Sequence, residues 1–349
     1  MIRTASGAPV LSVFELLERA RQLWRTQRVA CERRTLSIMG TETVLKAIVR
    51  PGNETTGGEA LDAAETVLRD VEARMSVWMG FTELARFNSA APGDEIQLSP
   101  ETLTVMQAAR EVSEQTRGAF DPTCRPVLEV WRESAAHNRE PNSAELSHAL
   151  DRVGWHLVRL HEHGAEKLRD DVSVDLGGVA KGYAVERAAQ AMRTAGATGG
   201  MVQCGGDMYV FGPSEHGPKW SIGISDPCGP QEKLLAEVLQ VTDRAVSTSG
   251  NYRRFFTIRG RRLSHIIDPR NGRPVDAVPQ VTVVARSAMV SEGWSTALSV
   301  LGPAGLRLLP TGVEAMLITH DDEGRLRIFK SERFEELVQP STNSWGWHV

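Results

Sequence analysis

Apolar residues recur along this chain with two different periods, which predicts a mixture of helices and strands. Helical spacing, with apolar positions three and four apart, is found in the segments 11–24, 60–75, 99–112, 184–196 and 290–301. Runs typical of strands are found in 35–49, 172–174, 220–224 and 281–285, in 200–212 around a bulge or turn at 205–207, and in two hairpins, 255–267 and 315–329. Because helices and strands follow one another without a regular βαβ rhythm, the pattern indicates an α+β fold rather than a doubly wound sheet.

Composition and charge exclude several classes of protein. The chain has 349 residues, 41% of them hydrophobic and 24% charged, as in an ordinary soluble protein with one large domain or two intimate ones. The net charge of −4 gives no sign of the overall basic charge that is typical of nucleic-acid-binding proteins. The four cysteines form no C-x-x-C pair, which argues against a thiolate metal site or a disulfide framework.

The apolar segments also bear on location. No apolar run approaches the roughly 20 residues needed to cross a bilayer, so we expect no transmembrane segment. Charged residues interrupt the amphipathic segment 11–24, and no lipobox-like cysteine follows an apolar stretch. We therefore expect neither a signal peptide nor a lipoprotein anchor and a cytoplasmic location, with an extracytoplasmic one left open if the true start lies upstream.

The segment 175–184, with the sequence DLGGVAKGYA, combines glycines and a lysine at a predicted helix start. Glycines let the backbone approach a ligand, and the free N–H groups and dipole of a helix N-terminus favour an anion. Lys181 would add a cation for a phosphate. A tight turn with a solvated lysine explains the same residues equally well, and neither a Walker A loop nor a dinucleotide fingerprint is present.

Three further segments carry candidate chemistry. Glu292 and Thr296 lie four residues apart and share a helix face, which suits Mg²⁺, although Glu292 also suits a helix N-terminus without any metal. His265 precedes a turn-forming DPRNG sequence and is a candidate general base or a structural histidine. In the segment 118–123, Phe120 is suited to stack on a ring and Asp121 to fix the loop or accept a ribose hydroxyl, whereas a turn around a buried Phe is the simpler interpretation.

Taken together, these segments resemble the FAD:protein FMN transferase (ApbE) family. The resemblance covers roughly residues 35–330 and rests on the following segments, in this order: MGT at 39–41, MSVW at 75–78, GAFDPT at 118–123, DLGGVAKGYA at 175–184, GGD at 205–207, STSGNY at 247–252, HIIDPRNG at 265–272 and EGWSTAL at 292–298. Positions 292 and 186 carry Glu where the family commonly has Asp.

The resemblance implies a fold, a reaction and a set of site residues. It implies mixed or antiparallel sheets with packed helices, and Mg²⁺-dependent transfer of FMN from the substrate FAD to a Ser or Thr hydroxyl of a target flavoprotein, with release of AMP. Mg²⁺ would be held by the backbone oxygen of Ala180 and the side chains of Glu292 and Thr296. His265 and Lys181 would be catalytic, with His265 helping to deprotonate the acceptor hydroxyl. The FAD site would comprise Met39, Trp78, Ala119, Phe120, Asp121, Gly177, Lys181, Tyr183, His265 and Ile266.

Two alternatives to this reaction stay open. The same site could serve an FAD pyrophosphatase that releases FMN and AMP to water, or a degenerate protein that binds flavin without catalysis. For the domains, we expect an N-terminal helical extension over 1–34, an ApbE-like domain of two intimately packed subdomains over 35–335, and a C-terminal tail over 336–349.

Overall fold

The structure is a computed structural model that describes residues 29–225, 227, 234–250, 255–321, 323 and 325–339. The helix expected over 11–24, most of the N-terminal extension and most of the C-terminal tail lie outside these residues. Within the described part of the chain, no helix combines the length and apolarity that crossing a bilayer requires.

An eight-stranded sheet is the centre of the fold, and every neighbouring pair in it is antiparallel. Its strands, in spatial order, are β1 (Ala30–Ile38), β2 (Thr41–Val49), β6 (Gly199–Cys204), β7 (Asp207–Phe211), β10 (Arg244–Gly250), β15 (Gln280–Ala285), β16 (Glu314–His320) and β17 (Leu326–Lys330). Side chains alternate between two hydrophobic clusters, so that Val283 and Val284 pack on opposite faces. The sheet is therefore covered on both sides at its middle.

Shorter strands surround the central sheet. A three-stranded sheet contains β3 (Ile96–Gln97), β5 (Gly164–Lys167) and β4 (Val158–Leu160), in that order. Three separate hairpins pair β8 (Trp220–Ser225) with β9 (Leu234–Val241), β11 (Phe255–Ile258) with β12 (Arg261–Ser264), and β13 (Ile267–Asp268) with β14 (Arg273–Pro274).

Two helices pack together on the larger hydrophobic cluster and bring their N-termini close to one another. They are α6 (Ala180–Thr194), which contacts β6 and β7, and α7 (Ala288–Leu301), which contacts β10 and β15. The other helices are α1 (Glu54–Met75), α2 (Glu83–Ser89), α3 (Pro100–Gln115), α4 (Arg125–Ala136) and α5 (Ser143–Leu150), with 3₁₀ turns at Trp155–Leu157, Gly302–Leu308 and Phe334–Leu337.

The α+β class and most of the predicted elements are confirmed. Ser99 caps α3, its hydroxyl accepting a hydrogen bond from the backbone of Thr102 at 3.3 Å. The hairpin predicted near Arg259 and Gly260 turns at these residues, both of which have positive φ. Gly196, also at positive φ, follows α6 as the predicted stop.

Two predicted elements are wrong. The single strand over 35–49 is a hairpin, β1 and β2, which turns at Met39 and Gly40 with φ values of 53° and 68°. Such a two-residue turn needs positive φ at both positions. Glycine readily adopts positive φ and so indicates a turn in the sequence, whereas methionine gives no such indication. The segment 172–174 is not a strand, because the side chain of Asn88 makes both backbone hydrogen bonds of Val174, at 2.8 and 2.9 Å.

Candidate active site

A cavity of about 1130 Å³ opens beside the N-termini of α6 and α7. Its walls come from the β1–β2 turn, the loop before α2, the loop before α4, the loop before α6, the β6–β7 turn and the end of β10. A cavity of this size accommodates a dinucleotide-sized ligand.

The cavity brings together all but one of the residues proposed from the sequence. Its lining includes Met39, Trp78, Ala119, Phe120, Asp121, Gly177, Ala180, Lys181, His265, Ile266, Glu292 and Thr296. Tyr183 is not part of the lining. It lies in α6 with its ring in the larger hydrophobic cluster, and burial raises the pKa of its hydroxyl.

The loop before α6 is tied to the loop before α4. The backbone N–H of Asp175 donates to the carbonyl of Pro122 at 2.7 Å, and the Asp175 carboxylate accepts from the N–H of Gly177 at 2.9 Å. Gly178 lies directly against the ring of Phe120, since a Cβ at this position would be 2.7 Å from a ring carbon. The glycines therefore allow the two loops to pack closely. They also let a ligand approach the backbone.

Lys181 lies among oxygen atoms. Its Nζ donates to the carbonyl of Gly177 at 2.9 Å, lies 3.1 Å from Oδ2 of Asp207 and contacts Oε1 of Glu292. Burial opposes the charged form, but Asp207 and Glu292 raise the pKa of Lys181 above its ordinary value. The ammonium group is thus a fixed cation that joins the start of α6 to two acidic side chains.

Glu292 is 3% exposed and is held through both of its carboxylate oxygens. Oε1 contacts Lys181, and Oε2 accepts from the backbone N–H of Gly182 at 2.7 Å. Burial raises the pKa of Glu292, and its neighbours Lys181 and Gly182 only partly oppose this shift. In return, Glu186 accepts from the backbone N–H of Ala288 at 2.7 Å, so each helix satisfies an N-terminal N–H of the other.

Paired serines set how α7 lies on the sheet. Ser247 and Ser249 of β10 are hydrogen-bonded, hydroxyl to hydroxyl, with Ser291 and Ser295 of α7, each pair at 2.8 Å. The serines of α7 face the strand, and Glu292, one position further on, reaches the cavity. Thr296, one turn after Glu292, lines the same cavity.

The loop before α4 is fixed by its own aspartate. Asp121 accepts hydrogen bonds from the backbone N–H and the hydroxyl of Thr123, at 2.8 and 2.6 Å. Burial raises the pKa of Asp121 despite these bonds. Of the two roles considered for this carboxylate, fixing the loop is the one that its contacts support.

Aromatic and imidazole groups occupy other parts of the wall. Trp78 is 73% exposed, and the guanidinium of Arg132 lies 5.2 Å from the centre of its ring. His265 is half-buried at the cavity wall, beside Ile266, whose backbone N–H donates to the hydroxyl of Ser264 at 3.0 Å.

The donor set at the helix N-termini fits a hard cation. The described residues contain no group of three or more His, Cys, Asp or Glu side chains placed to hold a metal. Mg²⁺, however, is commonly bound by one or two carboxylates together with water and substrate phosphates. The carboxylates of Glu292 and Asp207 already surround one cation, the ammonium of Lys181, and the hydroxyl of Thr296 lines the same cavity.

Asp207 is the main residue that the sequence-based set of site residues lacked. It lies at the start of β7, is buried and forms an ion pair with Lys181. The signal was available, because Asp207 ends the GGD segment at 205–207. The sequence alone did not reveal its role, because most of helix α6 and all of strand β6 lie between it and its ion-pair partner, Lys181.

Comparisons with known proteins agree on one family. The sequence model of the ApbE family matches residues 39–317. Among curated proteins, the FAD:protein FMN transferase of Vibrio cholerae is 31% identical over 308 residues, which cover 86% of this chain and 90% of that protein. The FAD:protein FMN transferase of Haemophilus influenzae is 30% identical over 287 residues, covering 78% of this chain and 83% of that protein.

Solved structures give the same result. The flavin transferase ApbE from V. cholerae superposes with a TM-score of 0.77 at 28% identity, covering 88% of this chain and 99% of that one. The ApbE protein from Thermotoga maritima gives a TM-score of 0.79 at 27% identity, covering 89% of this chain and 100% of that one. With the family match, the relatives and the fold in agreement, this chain belongs to the ApbE family.

Proposed function

We propose that this protein is an FAD:protein FMN transferase. It moves the FMN part of FAD to a Ser or Thr hydroxyl of a target flavoprotein and releases AMP. The observation that carries the proposal is the cavity itself, whose single lining contains Lys181 with the buried carboxylates of Glu292 and Asp207, and the aromatic side chains of Trp78 and Phe120. A polar, charged cluster suits a pyrophosphate, and the exposed ring of Trp78 suits a flat end of FAD.

The proposed reaction is a phosphoryl transfer in one displacement. The acceptor hydroxyl oxygen attacks the phosphorus on the FMN side of the pyrophosphate, and the bond from that phosphorus to the bridging oxygen breaks. AMP leaves with the bridging oxygen, and the hydroxyl proton passes to a ring nitrogen of His265, which lines the cavity. The product is a phosphodiester between FMN and the acceptor.

The residues proposed for the metal are the backbone oxygen of Ala180 and the side chains of Glu292 and Thr296. Bound there, Mg²⁺ would neutralise charge on the pyrophosphate. Lys181 contributes differently, because its contacts hold the carboxylates of Glu292 and Asp207 close to the start of α6. Ile266, beside His265, and Met39, whose N–H donates to Glu72 at 2.7 Å, complete the wall proposed for FAD.

The direct test incubates the purified chain with FAD, Mg²⁺ and the unmodified acceptor protein of the V. cholerae relative. We expect a flavin-fluorescent acceptor band in a denaturing gel, and no band when the acceptor Ser or Thr is replaced by Ala. Release of FMN and AMP at the same rate without any acceptor would instead indicate an FAD pyrophosphatase. Binding of FAD without either reaction would indicate a non-catalytic flavin-binding protein.

The metal proposal has a test that does not depend on activity. Glu292→Gln keeps the shape of the side chain and a hydrogen-bond acceptor for Gly182 but removes the charge. We expect Mg²⁺ binding, measured by calorimetry in the presence of FAD, to weaken by about tenfold or more. Glu314→Gln, which removes a carboxylate from β16 outside the cavity lining, is the matched control. Equal metal affinity in both variants would contradict the assignment.

A further inference from the structure

The loop 76–82, between α1 and α2, exposes large apolar side chains beside the mouth of the cavity. Trp78 is 73% exposed and Phe81 is 75% exposed, whereas the other exposed large hydrophobic side chains of the described residues reach at most 46%. Phe81 lies three positions after Trp78, so their Cα atoms are at most about 11 Å apart. We call Trp78, Met79 and Phe81 the aromatic rim.

FAD accounts for only part of this exposure. Trp78 and Met79 line the cavity, and Phe81 does not. A ligand inside the cavity can therefore contact Trp78, whereas Phe81 lies outside the cavity lining. Exposed aromatic side chains that lie close to one another are typical of protein interfaces. The exposure of Phe81 therefore indicates a binding partner outside the cavity.

The loop that carries the rim is anchored, which distinguishes the rim from a loose surface segment. The hydroxyl of Thr82 donates to the carbonyl of Ser76 at 2.8 Å and accepts from the N–H of Ala85 at 3.0 Å. Thr82 is buried, and Val77 packs against the larger hydrophobic cluster. Arg132 of α4 lies over the ring of Trp78. A partner would therefore meet side chains that are already positioned, which lowers the entropy cost of binding.

We propose that the aromatic rim is the docking surface for the acceptor protein, and that it binds an apolar side chain close to the acceptor Ser or Thr. This inference rests on the proposed transferase function. The acceptor hydroxyl has to reach a phosphate inside the cavity, so the segment that carries it crosses the mouth. The rim extends from Trp78, which lines the cavity, to Phe81, which is exposed outside the lining.

The test compares Phe81→Ser with Ile328→Ser. Ile328 on β17 is 46% exposed and lies outside the cavity lining, so it controls for the loss of an exposed apolar side chain. With the unmodified acceptor protein of the V. cholerae relative as the probe, we expect Phe81→Ser to raise KM for the acceptor about tenfold. The kcat at saturating acceptor and the Kd for FAD should stay within about twofold. Phe81→Leu should recover most of the loss, and Ile328→Ser should show none.

Three results would overturn the assignment. The first is an acceptor KM that Phe81→Ser leaves unchanged while the chain transfers FMN, which rejects the docking surface and keeps the proposed function. The second is a change in oligomeric state on Phe81→Ser, measured by light scattering, because the occupant would then be a second copy of the chain. The third is the absence of transfer by the unaltered chain while FAD still binds, which rejects the proposed function and the surface together.

Discussion

Glu292 of α7 accepts a hydrogen bond from the backbone N–H of Gly182 in α6 at 2.7 Å. The bond is possible because Gly182 has no side chain. A Cβ there would lie 2.2 Å from the carbonyl oxygen of Ala288, at the start of α7. The close approach of two helix N-termini and the position of a buried carboxylate therefore depend on the same glycine.

This contact predicts the effect of Gly182→Ala. The methyl group meets backbone rather than a movable side chain, so the helices must separate. We expect unfolding free energy to fall by about 2–3 kcal/mol, as for overpacking of a core, and FAD-dependent Mg²⁺ binding to weaken. Urea denaturation and calorimetry measure the two effects.

The matched control is Gly58→Ala in α1. Gly58 is also helical, and a Cβ there meets nothing within 4 Å. Alanine should therefore stabilise the protein by about 0.5–1 kcal/mol, through helix propensity. A loss of stability of similar size in both variants would mean that the helix contact is not the cause.

Lys181→Met tests the buried cluster of charges. The substitution leaves Glu292 and Asp207 without their cation, and an uncompensated buried charge is costly. We expect unfolding free energy at pH 7 to fall by about 3 kcal/mol in urea denaturation. Arg69→Met, which breaks an exposed pair with Glu65 on α1, should cost less than about 1 kcal/mol. Equal losses would show that Lys181 is not paired as described.

Trp78→Ala tests the aromatic wall proposed for FAD. Removing the ring takes away a stacking surface, which is worth about 1–3 kcal/mol for a nucleic-acid base. We expect the Kd for FAD, measured by quenching of flavin fluorescence, to rise at least about fivefold. Leu168→Ala removes an exposed apolar side chain outside the cavity and should leave the Kd unchanged. An unaltered Kd in Trp78→Ala would remove Trp78 from the FAD site.

The stability of the loop after His265 should depend on pH, because of the carboxyl group of Asp268. Burial raises the pKa of this carboxyl, but hydrogen bonds from the guanidinium and backbone of Arg270 outweigh burial and hold the pKa below its ordinary value of 3.8. The ionised form is favoured in the folded state, so its contribution to stability is complete above the unfolded pKa. This contribution is lost as the pH falls through the folded pKa.

Asp268→Asn should therefore destabilise the protein in a pH-dependent way. We expect a loss of about 1–2 kcal/mol at pH 7, and a difference from the unaltered chain that shrinks as the pH falls below 3.8, the ordinary pKa of the carboxyl. Urea denaturation across this range measures it. Asp94→Asn, at an exposed position, is the control. A difference independent of pH would show that the charge of Asp268 is not what stabilises the loop.

The sequence predicted the elements whose signals are local. Ser99 before a run of helical periodicity marked the start of α3, and the Arg259–Gly260 turn was visible between two strand-like runs. Some site segments were found through their glycines and charged residues and others through the family resemblance, and the structure places these segments around one cavity. These features depend on residues close together in the chain.

The features that were missed depend on distant partners. Val174 looked like a strand residue, but its backbone bonds to Asn88, a side chain 86 residues earlier. The pairing of Lys181 with Glu292 and Asp207 was likewise not predicted, and Asp207 had not been assigned to the site. Nothing in the sequence links the two members of such a long-range pair, even where each lies in a motif, so the fold is needed to reveal the pairing.

The serine pairs between β10 and α7 couple changes at distant positions in the chain. Replacing Ser291 alone by alanine leaves the buried hydroxyl of Ser247 without its partner, whereas replacing both removes donor and acceptor together. The loss of a serine from β10 is thus tolerated more easily when its partner in α7 is lost as well. Homologues that lose one hydroxyl of a pair should therefore tend to lose the other. In these homologues, apolar packing would set the rotation of α7 on the sheet.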